Sequence, residues 1–380
     1  MIRAIIIFAI AFLSFFYSFG QIPNEPIIIG QKLFIKSNIL NENREYWVYL
    51  PSDYENSKYD YPVLYLLDGQ EHFHQITGLI NHMSRLVQRI PGMIVVGIIS
   101  SEQDRVRDYT PNKIELLPDG GGADRFTQFL QKELIPEINN QFRTNDYRLL
   151  FGHSLAGLYV NYIFTTQNNL FNVYFAADPA IFANSTVSQN FKYFIAGQDT
   201  IKSGYFLSVS GDVDSSTIVP NLEVYDFIKS NYSGKLLWDF KFYQNEDHIS
   251  MTLKVIYDGL EKLFSDYKIP SSYLHSFDKE KIVNHIIQNG NRYKIYVALP
   301  EQLINEYAMH FCSKQKYDDA LDLLKLNLVN YKNPFETYYF IGEVYLMKGE
   351  NDKALQNFEK SLEIREIWDV KEKIRHIRNG

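Results

Sequence analysis

Tyr147-Arg148-Leu149-Leu150-Phe151-Gly152-His153-Ser154-Leu155-Ala156-Gly157 decides the fold. A short apolar run enters a tight turn of small residues, and a helix-like run over 158–164 leaves it. This reads as a nucleophile elbow. A serine at the apex of a strand–turn–helix is lifted clear of its sheet, and the helix N-terminus behind it offers free N–H groups to a developing oxyanion. Gly-x-Ser-x-x-Gly alone is a weak signal, because small residues fill turns everywhere. Its weight comes from the surrounding chain.

Upstream, β-prone stretches over 27–39 and 44–50 predict an antiparallel hairpin. Residues 61–67 form a near-continuous apolar run that stops at Asp68-Gly69-Gln70, as a central strand covered on both faces would. A helix over 76–89, a strand over 93–99, a polar loop over 105–111 and a helix over 124–139 lead to the elbow. Beyond it, apolar strands end at Asp178-Pro179, at Gly211-Asp212-Val213-Asp214 and at Glu246-Asp247-His248. This alternation predicts an α/β-hydrolase fold, a mostly parallel sheet flanked by helices, with its polar residues at the strand ends where open α/β sheets bind ligands.

At both ends the texture changes. In residues 1–20 Arg3 is the only charge, 4–17 is almost wholly apolar, and Ser18 and Gly20 put small residues before Gln21. That is the pattern of a cleaved signal peptide; an anchor helix needs about 20 apolar residues. The expectation is an exported protein, periplasmic or extracellular, with no stable membrane anchor. From about Pro270, segments 301–334 and 335–368 align at a 34-residue offset, Ala308 with Gly342, Phe311 with Tyr345, Asp318 with Asp352 and Ala320 with Ala354. This is the spacing of tetratricopeptide helix pairs. The expected organisation is therefore a signal peptide over 1–20, a hydrolase domain over 22–268 and a small all-α repeat-like domain over 270–380, the last a candidate protein-binding surface or a structural cap.

Composition excludes several function classes. A net charge of −7, without long like-charge runs, gives no footprint for nucleic acid. Cys312 is the only cysteine, so there is no disulfide framework and no cysteine metal cluster. His72 and His74 lack a third ligand at a recognisable spacing, and no metal or cofactor is expected.

A serine nucleophile needs a base, and the base needs an acid to fix its tautomer. Of the histidines after Ser154, only His248 precedes Pro270, and it follows a strand directly. The acid is expected to leave the preceding strand, which makes Asp214 the first candidate and Asp212 the second; Glu246 and Asp247 adjoin the base and would point away from it. The oxyanion donors are expected at the N–H groups of Leu155 and Gln70. Asp68, Tyr109, His153 and Asp178 would rim the same mouth and contact substrate.

Together, Tyr65-Leu66-Leu67-Asp68-Gly69-Gln70, Arg107-Asp108-Tyr109-Thr110-Pro111, Gly152-His153-Ser154-Leu155-Ala156-Gly157 and Asn245-Glu246-Asp247-His248 resemble the esterase D and enterochelin-esterase-like group of α/β-hydrolases, with the mycolyltransferases as distant cousins. The likeness runs over about 27–267, and the final helices resemble the tetratricopeptide tail of some exported members. The resemblance implies hydrolysis of carboxylic esters of a small molecule or glycan by Ser154, His248 and an acid, with Gln70 matching the second oxyanion donor. Acyl transfer by the same residues, or a degenerate hydrolase serving as a binding module, are the alternatives. Ala156 departs from the glycine usual two residues after the serine.

Overall fold

The computed structural model describes residues 26–115, 117–198, 201–212, 214–232, 234, 236–293, 296 and 299–379. The segment 1–20, read from the sequence as a signal peptide, lies outside the described residues.

Eight strands form one sheet in the order β1-β2-β4-β3-β5-β6-β7-β8. The hairpin β1 (Gln31–Ser37) and β2 (Glu42–Tyr49) joins β4 (Ile94–Ile98) antiparallel. From β4 onward β3 (Tyr61–Leu66), β5 (Thr144–His153), β6 (Val173–Ala177), β7 (Gly204–Asp212) and β8 (Trp238–Asp247) run parallel. Parallel strands need helical crossovers on both faces, which is why the central strands read as unbroken apolar runs. All of β3, β4 and β6 is buried.

Alternation along each strand sorts side chains between two cores. Val63, Tyr65, Leu150, Tyr174 and Leu207 face the helices Leu155–Thr166, Ser185–Ala196 and Ser215–Asn231. Leu64, Leu66, Leu149, Phe151 and Phe175 face Gly69–Asn81 and Met251–Leu263. Burying each such side chain is worth about 1.5–3 kcal/mol, so this two-sided burial is what makes the sheet the rigid frame of the molecule.

Two expectations are corrected. The segment over 105–111 is not a polar loop: Glu102–Tyr109 is a helix, opened by a capping box in which Ser101 Oγ accepts from Asp104 N and the Asp104 carboxylate accepts from Ser101 N. The first crossover helix starts earlier than expected, at Gly69, directly behind Asp68. The helix expected over 124–139 is present but runs Ala123–Phe129 and Ile135–Gln141 around a π-helical segment, Leu130–Leu134. Pro136 has no N–H to bond a carbonyl one turn back, and the wider turn sits just before it.

Beyond the sheet, Lys279–Tyr293 packs onto the body, Tyr293 stacking near Phe264 and Tyr147 and donating its hydroxyl to Leu263 O at 3.0 Å. The helices Glu301–Cys312, Tyr317–Asn330, Phe335–Met347 and Asn351–Ile364 follow. Ala308, Ala320 and Ala354 are fully buried between them, and a Cβ on Gly342 would lie 2.6 Å from the Phe358 ring. A second chain contact ties this region to the body: Ser57 and Tyr331 form an antiparallel bridge, flanked by Lys58 N to Asn330 O at 2.8 Å and Lys332 N to Asn56 O at 2.7 Å.

Candidate active site

The elbow is a strained turn held from both sides. Ser154 has φ 59° and ψ −118°, a region that costs a non-glycine residue about 1–3 kcal/mol and persists only where the surroundings enforce it. Here β6 does so: Ser154 N donates to Ala177 O at 3.0 Å, and Ala180 N donates to Ser154 O at 3.0 Å. The turn also needs room. A Cβ on Gly152 would lie 2.4 Å from Ala156 O, so the strand can pass beneath the helix only as glycine. Ala156 is itself fully buried, and its methyl group is accommodated in the core on the helix side.

His248 follows β8, and its Nδ1 lies 2.7 Å from Oδ2 of Asp178. A carboxylate only accepts, so Nδ1 carries the proton and donates it, leaving the Nε2 lone pair as a base. Asp178 is completely buried and well anchored: its N donates to Ser208 O at 2.8 Å, and Ser210 Oγ donates to Oδ2 at 2.5 Å. Like Ser154 it has a positive φ, 41°, at a strand end.

The acid expected on the next strand is therefore corrected. Asp214 is engaged elsewhere: it is the N-cap of Ser215–Asn231, its Oδ1 accepts from Ser216 N at 2.8 Å, and it is exposed. Asp212 is exposed on β7, in register with Asp247 of β8. The sequence signal for Asp178 was present, an acid directly after an apolar strand and before a helix-breaking proline. Asp212 closes the strand next to β8 and carries a similar signal, and only the folded positions of the side chains show which carboxylate meets the histidine.

The second half of the mouth is the turn after β3. Asp68 adopts a left-handed conformation, φ 53° and ψ 49°, and Gly69 begins a helix packed so tightly on β4 that a Cβ would lie 2.6 Å from Gly97 C. Gln70 clasps the neighbouring strand end with its side chain, Nε2 donating to Ser100 O at 3.0 Å and Oε1 accepting from Ser100 N at 3.2 Å. Its amide is thus occupied with holding the loop, and the group left for chemistry is main chain. Gln70 and Leu155 each lie in the first two positions of a helix, where N–H groups have no carbonyl one turn behind them.

All four residues expected to touch substrate are buried: Asp178 against His248, and Tyr109, Asp68 and His153 around the same mouth. Tyr109 is fully buried under the loop, its hydroxyl accepting from Asp68 N at 3.3 Å and 2.9 Å from Ser100 Oγ. Asp68 takes Arg105 Nε at 2.9 Å; burial pushes its carboxyl up to about 6, against the pull of that guanidinium. His153 is buried with its ring 4.3 Å from that of His248 and 5.8 Å from that of His72. Burial, then the neighbouring His248, pushes His153 down to about 3, and burial pushes His72 down to about 4, so both rings are neutral. His74, two residues along the helix from His72, is exposed. Among the described residues no three His, Cys, Asp or Glu side chains are grouped to hold a metal ion.

Residues 37–188 match the family described as "Putative esterase". The chain is 34% identical over 185 residues to the ferri-bacillibactin esterase BesA of Bacillus subtilis, covering 43% of this chain and 63% of that protein. It spans 63%, 48% and 46% of the lengths of the curated relatives it matches. Among solved structures it is similar to an IroE-like serine hydrolase from Shewanella oneidensis, with a TM-score of 0.69 and 28% identity over 79% of this chain and 99% of that one. An uncharacterised protein from Capnocytophaga ochracea, 17% identical with a TM-score of 0.61, shares the fold over 92% of this chain and 100% of its own. Residues 37–188 are thus similar to the "Putative esterase" family, and the mostly parallel sheet flanked by helices is the α/β-hydrolase fold of the IroE-like serine hydrolase.

Proposed function

We propose that this chain is a serine esterase that cleaves carboxylic esters through an acyl-enzyme on Ser154. The observation that carries the reading is the Asp178–His248 pair at 2.7 Å, whose buried carboxylate leaves the strand end that also holds Ser154 by two main-chain bonds. Ser154 Oγ attacks the ester carbonyl while His248 Nε2 takes its proton, and Asp178 stabilises the imidazolium. The N–H groups of Leu155 and Gln70 receive the oxyanion; losing one such donor typically costs about 10²–10³ in rate. Collapse expels the alcohol, protonated by His248, and water reverses the sequence to release the acid. No cofactor enters these steps.

The name of the Bacillus relative, a ferri-bacillibactin esterase, supports siderophore esters as the substrate class. The apolar N-terminal stretch supports export, with Gln21 as the first residue of the mature chain, which N-terminal sequencing of secreted material reads directly. The 34-residue internal offset supports a tetratricopeptide-like arrangement beyond residue 270. The decisive test of the activity is Ser154→Ala assayed on p-nitrophenyl acetate and on a catecholate siderophore lactone. Loss of both activities with unchanged melting is expected; wild-type turnover in the variant would sink the proposal.

A further inference from the structure

A cavity of about 460 Å³ lies in the seam between the sheet body and the C-terminal helices, and the ester chemistry makes no use of it. It is lined by the loop before β3 and by the first turns of Glu301–Cys312 and Phe335–Met347. Tyr61 at the start of β3 pairs with Thr144 at the start of β5, whereas Ser154 follows the other end of β5. Ten residues at about 3.3 Å each separate the two ends, so the cavity and the elbow are about 30 Å apart.

Its walls combine three carboxylates, Asp53, Glu301 and Glu336, with the rings of Tyr59, Tyr267, Tyr331 and Phe335; Arg85, exposed at the rim, is the one basic residue in the lining. None of the three carboxylates is in an ion pair among the described residues. Glu301 accepts the Thr337 hydroxyl, at 2.9 Å. Burial, with Glu336's charge added, holds its carboxyl above the ordinary range, so two acids repel one another across the site. Asp53 is oriented by the hydroxyls of Tyr59 and Tyr61. Each glutamate complements its own helix dipole, which accounts for an acid in each first turn. It does not account for both converging with Asp53 and four rings on one cavity.

We propose that this seam cavity binds an organic cation, a guanidinium or primary ammonium group seated between the carboxylates and the aromatic rings. Such a group relieves the Glu301–Glu336 repulsion and gains from ring faces, as a neutral sugar of the same size would not. The cation is either a free small molecule or a side chain of a basic peptide; the chemistry recognised is the same.

Titration calorimetry on the full chain tests this with agmatine for the free cation, acetyl-Gly-Arg-Gly-amide for the peptide-borne one, and cellobiose and citrate as neutral and anionic controls. Expected are saturable binding of agmatine, the peptide or both, weakening with added salt, and no binding of either control. Glu336→Gln, at a half-exposed position, should weaken binding roughly tenfold, and Arg85→Ala should strengthen it by removing the competing cation. Labelling of Ser154 by a fluorophosphonate should be unchanged in both variants, so failure here is separable from failure of the esterase reading. No binding of agmatine or the peptide at about 10 mM, binding of cellobiose instead, or affinities indifferent to both substitutions would overturn the proposal.

Discussion

At the scale of single residues, the sharpest question is which carboxylate works with His248. Asp178 and Asp214 both follow β-strands, yet one is buried on Nδ1 and the other caps a helix in solvent. Asparagine tests them oppositely. In Asp178→Asn the amide can donate to Nδ1, which puts the proton on Nε2 and removes the base; kcat should fall by about 10²–10⁴ with little change in KM. In Asp214→Asn the cap survives, because asparagine caps about as well as aspartate, and both kcat and melting temperature should match wild type. Steady-state kinetics on one chromogenic ester separates the two, and equal losses would return the acid to β7. Much of this site was legible beforehand. Ser154 and His248 stand where a strand pattern stops, and Gln70 follows an Asp-Gly turn. The acid was not legible, because both β6 and β7 end beside an aspartate and strand order alone favours β7, the neighbour of β8; the side-chain contact with Nδ1 singles out Asp178.

At the scale of elements, the strands could be read because full burial on two faces leaves continuous apolar runs, as in β3 and β6. The helix Glu102–Tyr109 could not be read from periodicity, since only Val106 and Tyr109 in it are apolar. Its signal was local, Ser101 three residues before Asp104, and its purpose is electrostatic: Arg105 reaches Asp68, and Asp108 is buried between Arg44 and Arg107. The elbow itself is an element whose geometry depends on one missing atom. In Gly152→Ala the new methyl meets Ala156 O, a main-chain atom in the first turn of the following helix, which cannot swing aside as a side chain can. The helix start must shift, moving Leu155 N from its place beside Ser154. Overpacking of this kind costs about 1–3 kcal/mol. A folded but less stable variant that labels slowly with fluorophosphonate is expected, and wild-type labelling at wild-type stability would refute the crowding argument.

At the scale of the whole molecule, buried titratable groups and the seam set the stability. His153 and His72 are held near 3 and 4 in the fold, whereas an unfolded histidine titrates near 6.5. Between those values the unfolded chain binds more protons, so their contribution is present above about pH 6.5 and is lost as pH falls. Asp68, held near 6 against about 3.9 when unfolded, has the opposite sign, the fold binding the extra proton between those values. Melting temperature should therefore fall from pH 7 to 4.5; His153→Phe should flatten that fall and Asp68→Asn should steepen it, both read by calorimetry across the pH series. The seam decides whether the molecule melts as one body. Tyr331 is 2% exposed, bridges Ser57 through its main chain, donates its hydroxyl to Leu299 O at 3.1 Å, and sets its ring edge-on to Tyr59 at 6.1 Å. Truncating a buried aromatic costs about 3–5 kcal/mol, while losing a hydroxyl partner alone costs about 1–3 kcal/mol. If the sheet body and the C-terminal helices unfold together, Tyr331→Ala must lower one common transition and Tyr331→Phe must lower it less, with Ser154 labelling below the transition unchanged in both. A calorimetric trace that splits in two, the lower transition moving with the variant and the upper one fixed and carrying the loss of labelling, would show that the helices are an appendage whose stability the catalytic body does not share.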